Sequence, residues 1–177
     1  MTVAAFVLSV IAIVLAAASL GWQVVAALRA RRRPKLTPVI GRLTPEGLVT
    51  NDAGSDVREA LLNAAEATPE GQFLIGVKVV NAGRVPFHVA GWAIRADRGG
   101  TSLVPVDEPG AGAEVPHDIA PGGSATFLTK LQNAQHFAEA VAGDPDQPAR
   151  TVLTVSSGER SYTTELVTAE LLSLVSR

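Results

Sequence analysis

The sequence predicts an all-β domain of about seven strands with two short helical inserts, preceded by one N-terminal transmembrane helix. Three observations lead to this prediction. The first 28 residues contain no charged side chain. Beyond residue 34 the apolar stretches become short and are separated by Gly, Pro, Asn and Asp, a pattern typical of strands joined by turns. Two stretches, 55–67 and 131–143, differ because their apolar residues recur at helical spacing.

The N-terminal segment contains twenty-six uncharged residues from Val3 to Leu28. A helix needs about 20 apolar residues to cross a bilayer, so we expect a transmembrane helix over residues 1–30. A cleaved signal peptide would carry its basic residues before a shorter apolar run, whereas here they follow it. We expect a basic, proline-containing linker over residues 31–38 and the folded body over residues 39–177.

A basic cluster follows the apolar run. Because Lys and Arg beside a membrane helix tend to stay in the cytoplasm, the cluster predicts an N-terminus outside the cell and a body inside it. Such side chains also attract anionic lipid. Ala17 and Gly21 have the spacing of small residues in paired helices, which supports self-association only weakly. The expected membrane-interface residues are Trp22, Arg29, Arg31, Arg32, Arg33 and Lys35.

The charge distribution argues against nucleic-acid binding. The chain has a formal net charge of −2, but the five residues of the basic cluster leave ten basic and seventeen acidic residues elsewhere, a balance of −7. A body with this balance is a poor match for a phosphate backbone. The chain has no cysteine, which excludes disulfides and thiolate metal ligands.

The most regular strand pattern is FLIGVKVV, residues 73–80. Its odd-numbered residues are all apolar, while the other set contains Lys78, so the odd-numbered set is expected to face the core. The stretch 87–96 is predicted as a second core strand, with a bulge at Gly91. The inner face of this second strand is expected to hold His88, Ala90, Trp92, Ile94 and Ala96.

Turn residues separate the other strands. Residues 97–100 predict a hairpin, and Pro-Gly-Gly at 121–123 predicts a turn before a strand with its odd-numbered residues inward. A further hairpin is predicted to turn at Ser157 to Glu159. Together with an opening strand over 35–43, these segments give about seven strands at the spacing of a sandwich.

Three stretches resemble the immunoglobulin-like sandwiches of many prokaryotic and phage-borne proteins that are anchored to membranes. In those proteins an N-x-G-x-x-P turn joins two core strands, and Asn81, Gly83 and Pro86 match it. The resemblance implies an immunoglobulin-like β-sandwich with Trp92 in its core, although the cysteine pair of antibody domains is absent. The three stretches are VVNAGRVPFHVAGWAI, PHDIAPGGSATF and TVLTVSSGERSYTTE.

The sequence predicts no catalytic, cofactor or metal site. His88, His117 and His136 are scattered and lack the i, i+4 spacing of a helical zinc pair. His117 and Asp118 are neighbours, but adjacent side chains on a strand point to opposite faces. Residues 51–56 offer oxygen ligands without the pattern of a calcium-binding loop.

The expected function is that of a non-enzymatic, membrane-tethered β-sandwich that binds or scaffolds a protein partner, as yet unidentified, on the cytoplasmic face. One alternative is a cell-envelope protein whose sandwich is exported and binds wall or surface components. Another is an enzyme with a site built from loop residues. Loops carry contact residues more often than core strands do. The residues predicted to contact a partner are Arg84, Asp97, Arg98, Asp107 and Glu108, together with the loop 105–116.

Overall fold

The structure, a computed structural model, describes residues 3–29, 34–52, 71–97, 100–106, 111–142, 150–167 and 172. The helix predicted over 55–67 lies outside these residues. In chain order the described elements are α1 (Val3–Arg29), β1 (Pro34–Thr44), β2 (Gly47–Asp52), β3 (Gln72–Asn81), β4 (Phe87–Val89), β5 (Gly91–Ala96), β6 (Ser102–Leu103), β7 (His117–Ile119), β8 (Ser124–Lys130), α2 (Leu131–Val141), β9 (Thr151–Ser157) and β10 (Arg160–Val167).

The predicted fold class is wrong at its N-terminus. Within the residues that the structure describes, no helix combines the length and the apolar character needed to cross a membrane. The transmembrane helix predicted over residues 1–30 is therefore not supported. The described part of the chain is a mostly β protein with ten strands, rather than about seven, and two helices.

The strands form two four-stranded sheets and one two-stranded ribbon. The first sheet has the order β2-β1-β3-β8, the second has the order β10-β9-β5-β6, and β4 pairs with β7. All of these pairs are antiparallel. Ile75 and Phe127 of the first sheet and Trp92 and Leu153 of the second lie in one buried cluster. The two four-stranded sheets therefore share a single core.

The strand β3 confirms the predicted alternation. Ile75, Val77 and Val79 are buried in the main core, as expected for the odd-numbered face. Leu74 is also fully buried and belongs to a second, smaller cluster with Val39 and Leu128. Both faces of the first sheet are thus covered at this point.

The segment predicted as one strand over 87–96 is two strands in different sheets. Phe87 and Val89 are buried in β4, whereas the buried residues of β5 are even-numbered. The buried face therefore changes from odd-numbered to even-numbered residues at Ala90. The N–H of Ala90 donates to the carbonyl oxygen of Ser156 at 2.9 Å. His88 and Ala90 are consequently exposed, and their predicted place on the inner face is wrong.

The N-x-G-x-x-P turn is held by the buried side chain of Asn81. Its Nδ2 donates to the carbonyl oxygens of Val85 at 2.8 Å and Ile119 at 2.9 Å, and its Oδ1 accepts the N–H of Gly83 at 3.0 Å. Its backbone exchanges two further hydrogen bonds with the turn at Gly122 and Gly123. These bonds join the two turns of the sequence motif to each other.

The prolines near the start of the body lie within β1. Pro34 pairs with Asn81 and Pro38 with Val77, so the segment expected as a linker continues directly into the first sheet. The strand β2 covers β1 only from Val39 onwards. Both prolines therefore lie where β1 has one described neighbour, a position that tolerates a residue without an N–H.

The last hairpin turns one residue later than predicted. Ser157 pairs with Arg160, and the turn consists of Gly158 and Glu159, with Gly158 in the left-handed region at φ 60°. Ser157 is buried, because it still belongs to β9, whereas Glu159 is exposed.

Candidate functional site: a groove between β6 and α2

A groove of about 450 Å³ lies between the segment that contains β6 and the helix α2. Its size falls within the range of about 300–1,000 Å³ that is usual for ligand sites. The residues that line it are Leu103, Val104, Pro105, Val106, Asn133, His136 and Phe137.

One wall of the groove is a helix anchored by regularly spaced apolar residues. The helix α2 follows β8 directly, and its buried residues are Leu131, Ala134 and Ala138, three and four positions apart. This spacing places them on one face, which packs into the main core. Asn133, His136 and Phe137 lie beside that face and line the groove.

The other wall is an edge strand that continues into an exposed apolar segment. The strand β6 pairs with β5 and is the outermost described strand of its sheet. Leu103 and Phe137 pack partly against the core, so the groove has an apolar floor. Val104 and Val106 are 60% and 91% exposed. Val104 and Val106, on either side of Pro105, therefore extend the apolar lining of the groove into solvent.

The residues predicted to contact a partner lie elsewhere or outside the described part of the chain. Arg84 is exposed in the turn between β3 and β4, and Asp97 is exposed at the end of β5. Arg98, Asp107 and Glu108 lie outside the described residues. The loop predicted over 105–116 does begin in the groove, at Pro105.

The predicted membrane-interface residues are described only in part. Trp22 is 70% exposed and Lys35 is exposed at the start of β1. Arg29 is the last residue of α1. Arg31, Arg32 and Arg33 lie outside the described residues.

Apolar side chains of α1 are exposed on more than one side of the helix. Ile13, Val14 and Leu15 are consecutive and are each at least 60% exposed. Successive helix residues are about 100° apart, so these three side chains point in different directions. Every described residue of α1 from 10 to 23 is exposed.

A histidine–aspartate pair on the ribbon was not predicted from the sequence. His88 of β4 and Asp118 of β7 are register partners, and their Nδ1 and Oδ1 atoms are 2.7 Å apart. Both side chains are substantially exposed, at 48% and 73%. His117 points the other way, with its ring edge-on to Phe127 at 6.0 Å, which confirms that His117 and Asp118 do not converge. The pair depends on the register between β4 and β7, which local sequence patterns do not reveal.

The described residues contain no group of three or more His, Asp or Glu side chains that could hold a metal ion. Comparison with protein-family models, with curated proteins and with solved structures found no match. The resemblance to immunoglobulin-like sandwiches therefore stays a prediction.

Proposed function

We propose that the protein is a non-enzymatic binding module at the cytoplasmic face of a membrane, with a protein partner bound in the groove between β6 and α2. The observation that most strongly supports this proposal is the exposure of Val104 and Val106 beside an apolar floor. Burial of such side chains by a partner is favourable at about 25 cal/mol for each Å² removed from water.

The chemistry of the groove favours binding over catalysis. Among the lining residues that the structure describes, Asn133 and His136 are polar and the others are apolar. A mostly apolar surface with a few polar groups is typical of a recognition site, in which the polar groups fix orientation. The His88–Asp118 pair lies on the ribbon, and neither residue lines the groove.

A basic cluster supports a location at a membrane surface. Five basic residues lie between positions 29 and 35, and a Lys or Arg near an anionic membrane surface adds about 1 kcal/mol of attraction. Because the cytoplasmic leaflet carries the anionic lipid, the cluster favours that leaflet as the surface beside which the β body lies.

Site-specific photocrosslinking in cells tests the binding proposal. A photoreactive amino acid at Val106 is expected to give one dominant adduct, and the same substitution at exposed Thr163 of β10 is the matched control. An adduct that forms equally from both positions, or from neither, would contradict the proposal that the groove binds a partner.

Cysteine labelling tests the location, since the natural chain has no cysteine. Glu159→Cys places a thiol in the exposed turn between β9 and β10. A membrane-impermeant maleimide is expected to label this variant only after lysis. Labelling in intact cells would favour the exported alternative and contradict a cytoplasmic location.

A further inference from the structure

We infer that the groove binds an extended peptide segment of a partner protein, which adds as a strand to the edge of β6 that has no described neighbour. This inference rests on the proposed binding function and specifies the chemistry of the partner. It follows from the direction of the backbone groups in residues 101–106, from the apolar lining and from the small size of the groove.

The register of β6 determines which backbone groups are available. The carbonyl oxygen of Thr101 accepts the N–H of Ala96 at 3.0 Å, so Thr101 directs its backbone towards β5. Residues of an antiparallel strand direct their backbone groups to the two sides alternately. Leu103 therefore shares the β5 side with Thr101, whereas Ser102 directs its N–H and carbonyl towards the open edge. An extended continuation places Val104 on the open side as well.

Pro105 fits this arrangement. Pro105 is odd-numbered, like Thr101 and Leu103, so its backbone nitrogen faces β5. The N–H that proline lacks is therefore missing on that side and not at the outer edge. The open side keeps the donors of Ser102 and Val104. A proline with this parity limits the length of the β5–β6 ladder and leaves the outer edge able to pair with another strand.

The side chains beside the edge of β6 determine which residue types the added peptide is expected to have. Successive side chains of a strand point to opposite faces, so every second residue of the peptide would lie over the floor formed by Leu103 and Phe137. These residues are apolar, and so the peptide is expected to be apolar at alternate positions. His136 adds a hydrogen-bonding group to the α2 wall.

The size of the groove favours a partner peptide over a second copy of the chain. Seven described residues line it, whereas a stable interface between two folded chains takes about 20–30 residues from each side. A single extended chain does fill a groove between an edge strand and a helix, and main-chain hydrogen bonds then supply affinity while side-chain pockets supply specificity.

The first part of the test varies the ligand, which leaves the protein fold untouched. The purified full chain is used to select from a phage-displayed library of random peptides of about twelve residues, longer than an average strand of roughly five to six residues. The best peptide is then synthesised with single backbone N-methyl groups. Methylation at alternate positions is expected to weaken binding about tenfold, equivalent to about 1.4 kcal/mol, while methylation at the intervening positions is tolerated.

The second part varies the protein. Val104→Pro removes an outward N–H and is expected to weaken peptide binding by about tenfold or more, whereas Val104→Ala, which keeps the N–H, loses less. Circular dichroism of each variant checks that the β body is intact. Selected peptides that tolerate every N-methyl group would overturn strand addition but leave the binding module in place. A concentration-dependent dimer that Val104→Pro abolishes would replace the partner peptide by a second copy.

One outcome contradicts both proposals. A chain that selects no peptide and gives no adduct from Val106 in cells has no partner in the groove. Adducts from Val106 without any selected peptide would contradict strand addition alone, because the partner would then engage the groove through a folded surface.

Discussion

The side-chain amide of Asn81 donates a hydrogen bond at 2.9 Å to the carbonyl oxygen of Ile119, thirty-eight positions further along the chain. Asn81 ends β3, and Ile119 ends β7, so this bond links the first sheet to the ribbon. The same amide nitrogen also donates to Val85, and the Oδ1 atom accepts the N–H of Gly83. A buried asparagine whose donors and acceptor are used in this way fixes the geometry of several segments at once.

We predict that Asn81→Ala lowers the free energy of unfolding by about 2–4 kcal/mol, since each buried group left without its hydrogen bond costs about 1–3 kcal/mol. Urea unfolding, followed through the fluorescence of buried Trp92 in a Trp22→Phe background, measures the change. Ala82→Ser, at the exposed neighbouring position, is the control and should change stability by less than about 0.5 kcal/mol. A loss from Asn81→Ala no larger than that of the control would mean that the turn does not depend on this side chain.

We predict that Gly76→Ala is strongly destabilising. Gly76 lies in the central strand β3 between Val39 of β1 and Leu128 of β8, and an added Cβ would overlap the backbone carbonyl of Phe127. Backbone in a paired strand has little room to move, so the cost is expected to reach about 3 kcal/mol, the upper part of the range for overpacking. The same unfolding measurement applies.

Gly91→Ala is the matched control, because it also replaces a strand glycine. Its Cβ would meet only the side-chain oxygen of Ser156, at 3.3 Å. The predicted loss is less than about 1 kcal/mol, within the range of ordinary substitutions. Equal effects of the two substitutions would show that glycine propensity, rather than close strand approach, determines the result.

Local patterns were sufficient for some strands and insufficient where the chain changes sheet. The alternation in β3 predicted its core face correctly, since one side of that strand packs on the core over its whole length. The same reasoning failed for residues 87–96, because the parity of the buried face reverses at Ala90. Periodicity assigns faces only while a strand stays in one sheet.

The candidate site could be predicted only in part, for a related reason. The loop 105–116 was predicted as a contact surface and does begin in the groove. The groove itself requires His136 and Phe137 to lie beside Val104, about thirty residues away in sequence. The His88–Asp118 pair likewise depends on the register of β4 with β7. Tertiary packing sets both arrangements, and no single-strand pattern encodes it.

We predict that the His88–Asp118 pair contributes little to stability. Both side chains are more than one third exposed, so solvent screens their interaction even at 2.7 Å. Asp118→Asn is expected to change the free energy of unfolding by less than about 1 kcal/mol. A double-mutant cycle with His88→Gln measures the coupling between the two side chains. A coupling above about 2 kcal/mol would contradict the prediction and indicate that the ribbon depends on the pair.

We predict that two cysteines engineered into the last hairpin react with a maleimide at very different rates. Ser157 is 4% exposed in β9, whereas Glu159 is exposed in the turn only two residues later. In the native full chain, a maleimide is expected to label Glu159→Cys at least about tenfold faster than Ser157→Cys, because a buried thiol reacts only when the strand opens locally. In denaturant the two rates should become equal, which controls for intrinsic reactivity. Similar native rates would mean that β9 ends before Ser157 and that the turn spans residues 157–159, as the sequence alone predicts.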